Sequence, residues 1–204
     1  MRWRTTVVVL AVLIGTAACS GDDEPVARTA AGVPRSWYAA VDEALAAQPG
    51  VGSMAILESG GRCPLRRKAV LAGDTVSRLS DHGVVRLGGD TPALLCSWFE
   101  DTVVDIEVAH APDAARYAEL VDGTHAVVQT GNRQTERDVQ LDGRTVRVVR
   151  FVFPTNPSAG TSLVAYLLDE GDRGRVRLEV GRVQELPGYD ERAVAADLLA
   201  FVSG

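Results

Sequence analysis

Apolar and polar residues alternate through the second half of the chain with the two-residue period of half-buried strands. Val176, Leu178 and Val180 alternate with Arg175, Arg177 and Glu179, so 175–182 reads as a strand with one apolar and one wet face. Val104, Ile106 and Val108 alternate with Asp105 and Glu107 in the same way. That strand, 102–109, follows another over 94–99 across the polar pair Glu100-Asp101, as in a hairpin. Further strands are predicted over 125–130, 136–141, 145–153 and 161–169, with a shorter one over 53–58. Leu163 to Leu168 is apolar on both faces, which predicts a central strand. Asp142-Gly143 supplies a two-residue hairpin turn, and 170–174 a looser one.

Three segments carry helical spacing instead. Trp37, Val41, Ala44 and Leu45 recur on one face of a helix over 36–48 that Ser36 caps and Pro49-Gly50 ends. Pro112 opens a helix to residue 121 with Tyr117 and Leu120 facing inward. Asp190 caps a last helix with an apolar stripe of Val194, Leu198, Phe201 and Val202. A short helix from Pro64 would carry Arg66-Arg67-Lys68, while 72–92 is rich in glycine and aspartate and has no clear period. Together these elements predict an α+β fold: a mostly antiparallel sheet of about six strands with helices packed on one face. A sandwich or barrel is the rival, and three amphipathic helices fit it poorly.

The chain opens differently. Arg2 and Arg4 precede an apolar run from Val7 to Ile14 and the small residues Gly15 to Ala18, the three parts of an export signal. The apolar stretch is about 12 residues, short of the roughly 20 that span a bilayer as a helix. Thr16-Ala17-Ala18-Cys19 resembles the bacterial lipobox, in which the thiol is acylated before cleavage and becomes the mature N-terminus; that family usually has Leu where Thr16 stands. The resemblance implies a lipidated Cys19 held in membrane lipid, with a plain secreted chain cut near Ala18 as the alternative. Residues 20–35, small, charged and broken by Pro25 and Pro34, read as a disordered tether. The expected organisation is a signal over 1–18, lipidated N-terminus and tether over 19–35, and one extracytoplasmic domain over 36–204.

Charge and cysteines narrow the partners. The formal net charge is −6, which argues against nucleic acid. Lys68 is the only lysine among 21 basic residues. Removing Cys19 to lipidation leaves Cys63 and Cys96, which in an oxidising compartment read as one disulfide. Closing that loop would stabilise the fold by about 3.7 kcal/mol on chain-entropy grounds. A reactive or metal-binding thiol pair is the alternative, without a C-x-x-C or nearby Cys/His spacing to favour it.

Signals for chemistry are sparse. The chain has no G-x-S-x-G elbow, S-x-x-K, H-E-x-x-H, P-loop or dinucleotide fingerprint; no catalytic residue, metal or cofactor is assigned. His82 beside Asp81 would be the base of a cryptic envelope hydrolase, against the simpler reading of a solvated loop histidine. His110 stands where it would bond the start of the following helix, and His125 where it would begin a strand. Asp169, Glu170 and Asp172 fall in a predicted turn, where carboxylates are ordinarily solvated. Arginines concentrate in the strand meander, and Arg147, Arg150, Arg175 and Arg177 are the candidate face for an anionic envelope component or acidic protein. Cross-strand pairing with Glu136, Asp138 and Glu179 is the plainer reading of the same residues. Trp37 and Trp98 are core candidates, Trp98 against the disulfide.

The lipobox, the acidic tether, Cys63-Pro64-Leu65 and Leu95-Cys96-Ser97-Trp98 together resemble small actinobacterial cell-envelope lipoproteins. The helix and strand before Cys63 depart from that pattern. The resemblance implies a membrane-anchored binding or envelope-accessory role on the extracytoplasmic side and transfers no functional residue beyond Cys19. A carrier of an apolar or lipid ligand is a further alternative, which requires a cavity between sheet and helices.

Overall fold

The structure, a computed structural model, describes residues 26–47, 55–56, 65, 69–71, 74–76, 83–86, 93–99, 103–125, 133–154 and 160–204. Ten strands are described: β1 (Ala55–Ile56), β2 (Ala69–Leu71), β3 (Asp74–Val76), β4 (Gly83–Arg86), β5 (Ala93–Phe99), β6 (Val103–His110), β7 (Arg133–Leu141), β8 (Arg144–Val152), β9 (Thr161–Asp169) and β10 (Gly174–Val180). Helices α1 (Arg35–Ala47), α2 (Ala114–Asp122) and α3 (Glu191–Ser203) complete the set with a 3-10 turn at Val183–Glu185. Eight strands form one antiparallel sheet in the order β1-β4-β5-β6-β10-β9-β8-β7, and β2 pairs with β3 apart from it. The six strands β5 to β10, seven to nine residues each, carry most of that sheet. The expected α+β class with an antiparallel sheet is what forms.

Alternation decides which side of the sheet each residue occupies. Val104, Ile106 and Val108 of β6, Val176, Leu178 and Val180 of β10, Leu163 and Ala165 of β9, and Val146 and Val148 of β8 share one buried face. On that face lie Trp37, Tyr38 and Val41 of α1 and Val194, Leu198, Phe201 and Val202 of α3. The rings of Trp37 and Phe201 stand 5.6 Å apart and join the two helices. α1 covers β5 and β6; α3 covers β7 to β10. The third helix goes elsewhere. Leu120 and Tyr117 of α2 pack on Ala93, Ala109 and Ala111, and Ala109 alternates with the core-facing Val108, so α2 covers one end of the opposite face. Two helices on one face and one on the other is the observed layering.

Caps explain where the helices begin. The Asp190 carboxylate accepts from the backbone N–H groups of Arg192 and Ala193 at 2.9 Å each, and that of Asp113 accepts from Arg116 N–H at 2.9 Å. Asp113 rather than Pro112 therefore marks the α2 boundary. Asp142 and Gly143 both have positive φ, 50° and 74°, as the two-residue turn between β7 and β8 requires. β10 stops short of residue 182 because Arg182 turns left-handed at φ 54° into the 3-10 turn.

Residues 26–34 correct the expected tether. Arg28 bridges to Pro34, Thr29 and Val33 are buried, and Arg35 N–H donates to Ala27 C=O at 2.9 Å. The Arg28 guanidinium donates to the carbonyls of Val202 and Ser203 at 2.6 and 3.0 Å, which neutralises the C-terminal end of α3. The segment is ordered because it fills a hydrophobic position with Val33 and completes a helix terminus with Arg28. The predicted strand over 126–130, the residues of the predicted short helix at 64 and 66–68, and the side chain of Trp98 lie outside the described residues.

One glycine is required by packing. A Cβ on Gly174 would collide with the Tyr38 ring, and Tyr38 is buried with its hydroxyl donating to Asp169 at 3.3 Å. Gly174→Ala is expected to cost about 1–3 kcal/mol of stability by overpacking, read from urea unfolding; an unchanged midpoint would show that Tyr38 yields freely. At the other end of the core, Glu191 accepts from Arg150 Nε at 2.7 Å. That hydrogen bond holds its carboxyl below the usual glutamate range, outweighing the opposing effect of burial. A depressed folded pKa contributes stability above the unfolded value, lost as pH falls through the folded one. Glu191→Gln should therefore be destabilising near neutrality and converge on the parent in acid, checked by unfolding curves at both ends.

Candidate functional site

The second sheet face carries the charge. Strand register places Glu107 opposite Arg177, Arg177 opposite Tyr166, Tyr166 opposite Arg147, and Arg147 opposite Asp138. One row of side chains thus crosses β6, β10, β9, β8 and β7 as acid, arginine, tyrosine, arginine, acid. Arg147 Nε donates to Asp138 at 3.2 Å. Arg175, one step along β10, donates to Glu107 at 2.6 Å and to the Leu120 carbonyl of α2 at 3.2 Å. Its guanidinium also lies 5.6 Å over the Tyr166 ring. Arg177 pairs with Glu179 of its own strand. Burial alone would lower the Arg177 pKa, but Glu179, Glu107 and the Tyr166 hydroxyl outweigh it and hold the guanidinium charged.

The four candidate arginines are not one open cationic face. Arg147, Arg175 and Arg177 share the second face, whereas Arg150 lies on the core side against Glu191 of α3. The parity of β8 separates Arg147 from Arg150, because an odd spacing crosses the sheet. Each of the four already faces a carboxylate. The wet face expected for β10 is also drier than its alternation implied: Glu107 is buried and the Arg175 side chain is 12% exposed, because α2 reaches over β6 and β10. Asp169 departs from the solvated turn as well. It is 1% exposed and accepts from Tyr38.

The two described histidines, His110 and His125, make contacts within the scaffold. His110 Nδ1 lies 2.9 Å from Asp42 of α1, and its ring stacks on Tyr38 at 5.1 Å, rather than bonding the start of α2. His125 follows α2 in a bend. Its Nε2 and Nδ1 lie 3.0 and 3.4 Å from Arg147 Nη1, and its Nδ1 is 3.3 Å from Glu136. Neither histidine bonds a hydroxyl or thiol among the described residues, the arrangement nucleophilic catalysis would need. His82, Cys19 and Cys63 lie outside those residues; Cys96 is buried on β5 and disulfide-bonded.

Space opens where β8 and β9 part. Their pairing ends at Arg147 opposite Tyr166, yet β8 begins three residues earlier at Arg144 and β9 runs on to Asp169. The splayed ends border a cleft of about 520 Å³, within the range of small-molecule sites. Thr145, Arg144, Leu167 and Leu168 line it from the two strands, Tyr117 and Val121 from α2, and Ala31 from the N-terminal segment. Tyr166, Arg147, Asp138 and Glu170 complete the lining. Burial first, then the charges of Glu170 and Asp169, push the Tyr117 hydroxyl pKa up, so the cleft offers a neutral phenol. Sequence reasoning missed Tyr117 and Tyr166 as site residues and placed Arg144 only among the many meander arginines. Alternation could have put Tyr166 beside Arg147; nothing local signals the splay.

Fold and site define an α+β domain with an eight-stranded antiparallel sheet, helices on both faces and a polar-rimmed cleft between parted strands. Among the described residues, no helix is long and apolar enough to cross a membrane, and no group of three or more histidine, cysteine or acidic side chains is placed to hold a metal. Comparison with protein-family models, characterised proteins and solved structures finds no match.

The buried Glu107–Arg175 pair sets the position of α2 on the sheet. Glu107→Leu alone should cost about 3–5 kcal/mol, because it strands a buried guanidinium. Adding Arg175→Met should recover much of that loss in urea unfolding; equal loss in both variants would show that the pair is solvated.

Proposed function

We propose that this chain is a lipoprotein, held to the extracytoplasmic side of the cell membrane by an acylated Cys19, whose domain serves as a binding or envelope-accessory module. The signal pattern over 1–18 and the thiol at its end support the anchor. The observation that carries the binding role is the cleft between the parted ends of β8 and β9. Strand ends that part present side chains from both strands to one space, as a small-molecule cleft requires.

The cleft also changes how an anionic partner would bind. With Arg147, Arg150, Arg175 and Arg177 each engaged by a carboxylate, recognition falls to the cleft and not to an arginine-lined sheet face. Space beneath α2, rather than between the sheet and the other two helices, is where a carried ligand would sit. The disulfide of Cys96 is assigned to Cys63, since acylation occupies Cys19.

Intact mass of the protein purified from its host membranes tests both assignments. A diacylglyceryl mass on a chain beginning at Cys19, rising by about two daltons on reduction, is expected. An unacylated full-length chain would overturn the anchor, and an unchanged mass on reduction would overturn the Cys63–Cys96 bridge.

A further inference from the structure

We infer that the β8–β9 cleft binds an amphipathic anion, with its carboxylate or phosphate headgroup on Arg144 and its apolar body against α2 and β9. The inference rests on reading the cleft as the binding element and adds the chemistry of its occupant.

Arg144 differs from its neighbours. Arg147, across the cleft, is engaged by Asp138, Thr124 and His125. Among the described residues, the Arg144 side chain has no ion pair or hydrogen bond, and its Nη1 is buried without a partner. An arginine is always charged and presents five donors. Leaving a buried donor unmet costs free energy that an incoming acceptor recovers.

The guanidinium is nevertheless held in place. A Cβ on Gly32 would stand 3.1–3.2 Å from the Arg144 guanidinium atoms, and Gly32 has φ +83°. The glycine thus lets the N-terminal segment lie directly on the arginine, fixing it by packing while its Nη1 has no partner among the described residues. Such preorganisation favours a charged headgroup over water. The rest of the lining suits an apolar body: Tyr117, Val121, Tyr166 and Leu168 face the same space. The two acids there do not compete for Arg144. Asp138 is occupied by Arg147, and Glu170, which also lines the cleft, forms no ion pair with Arg144 among the described residues.

The full-length chain titrated calorimetrically with octanoate, octyl phosphate, octanol and inorganic phosphate tests the inference. One molecule of octanoate or octyl phosphate should bind per chain, and whichever binds tighter names the headgroup. Arg144→Gln should weaken that binding about tenfold or more, the usual worth of a charge-assisted bond, with octanol unaffected. In the free protein the same change should cost no stability, because the arginine has no partner to lose; a merely structural arginine would show the reverse. Gly32→Ala, which displaces the guanidinium, should weaken the anion in the same sense. Octanol binding as tightly as the anions, or equal binding to Arg144→Gln, would overturn the anion and leave the cleft reading intact. Inorganic phosphate binding as well as octyl phosphate would overturn the apolar body. Val121→Trp should fill the cleft and abolish binding of every probe; failure of all four probes on the parent chain would overturn both the occupant and the binding role.

Discussion

β10 lies between β6 and β9 in a register that a one-residue slip would reverse. In place, Val176, Leu178 and Val180 meet the core under α1 and α3, and Arg175, Arg177 and Glu179 meet Glu107 and Tyr166 on the other side. Slipped by one, three charges would enter an apolar core and three valine-sized groups would leave it. Such an error is far costlier than the stability of a typical domain allows. This register fixes the charged row across five strands and gives α2 its foothold, since Arg175 reaches both Glu107 and the Leu120 carbonyl.

The two faces are consequently closed in different ways. On one, α1 and α3 bury aliphatic side chains, and buried polar groups include pairs such as Tyr38 with Asp169 and Tyr189 with Asp197. On the other, charges are tied off against one another, and hydrophobic contact is limited to small clusters around Tyr166 and under α2. Arg144 belongs by parity to the first face, with Val146 and Val148, and borders the gap beyond Arg147 from that side. It sits where the sheet parts, packed by a glycine and with no side-chain partner among the described residues, and for that reason the cleft, rather than the richer arginine cluster beside it, is the place for a ligand.

Much of the fold was legible because its signals are local. The strand over Thr161–Asp169, the hairpin at Asp142-Gly143 and the cap at Asp190 each follow from alternation, a left-handed turn or a side-chain oxygen within a few residues. The ordering of 26–34 was not legible: its composition is that of a tether, and its structure comes from Arg28 reaching α3 at the far end of the chain. The candidate site was legible only in fragments. Arginine abundance was visible, but the partners that engage Arg147, Arg150 and Arg175 come from other elements.

The sequence by itself determined the strands of 136–141, 145–153, 161–169 and 175–182, the alternation within β6 and β10, and the α+β class, because periodicity and capping act over a few residues. Tertiary structure alone decided which face α2 covers, that Asp169 and Glu107 are buried, and that β8 and β9 part beyond Arg147 and Tyr166. These depend on contacts between residues tens of positions apart, where the free energy of burial and ion pairing exceeds any local preference, and no short stretch of chain records them.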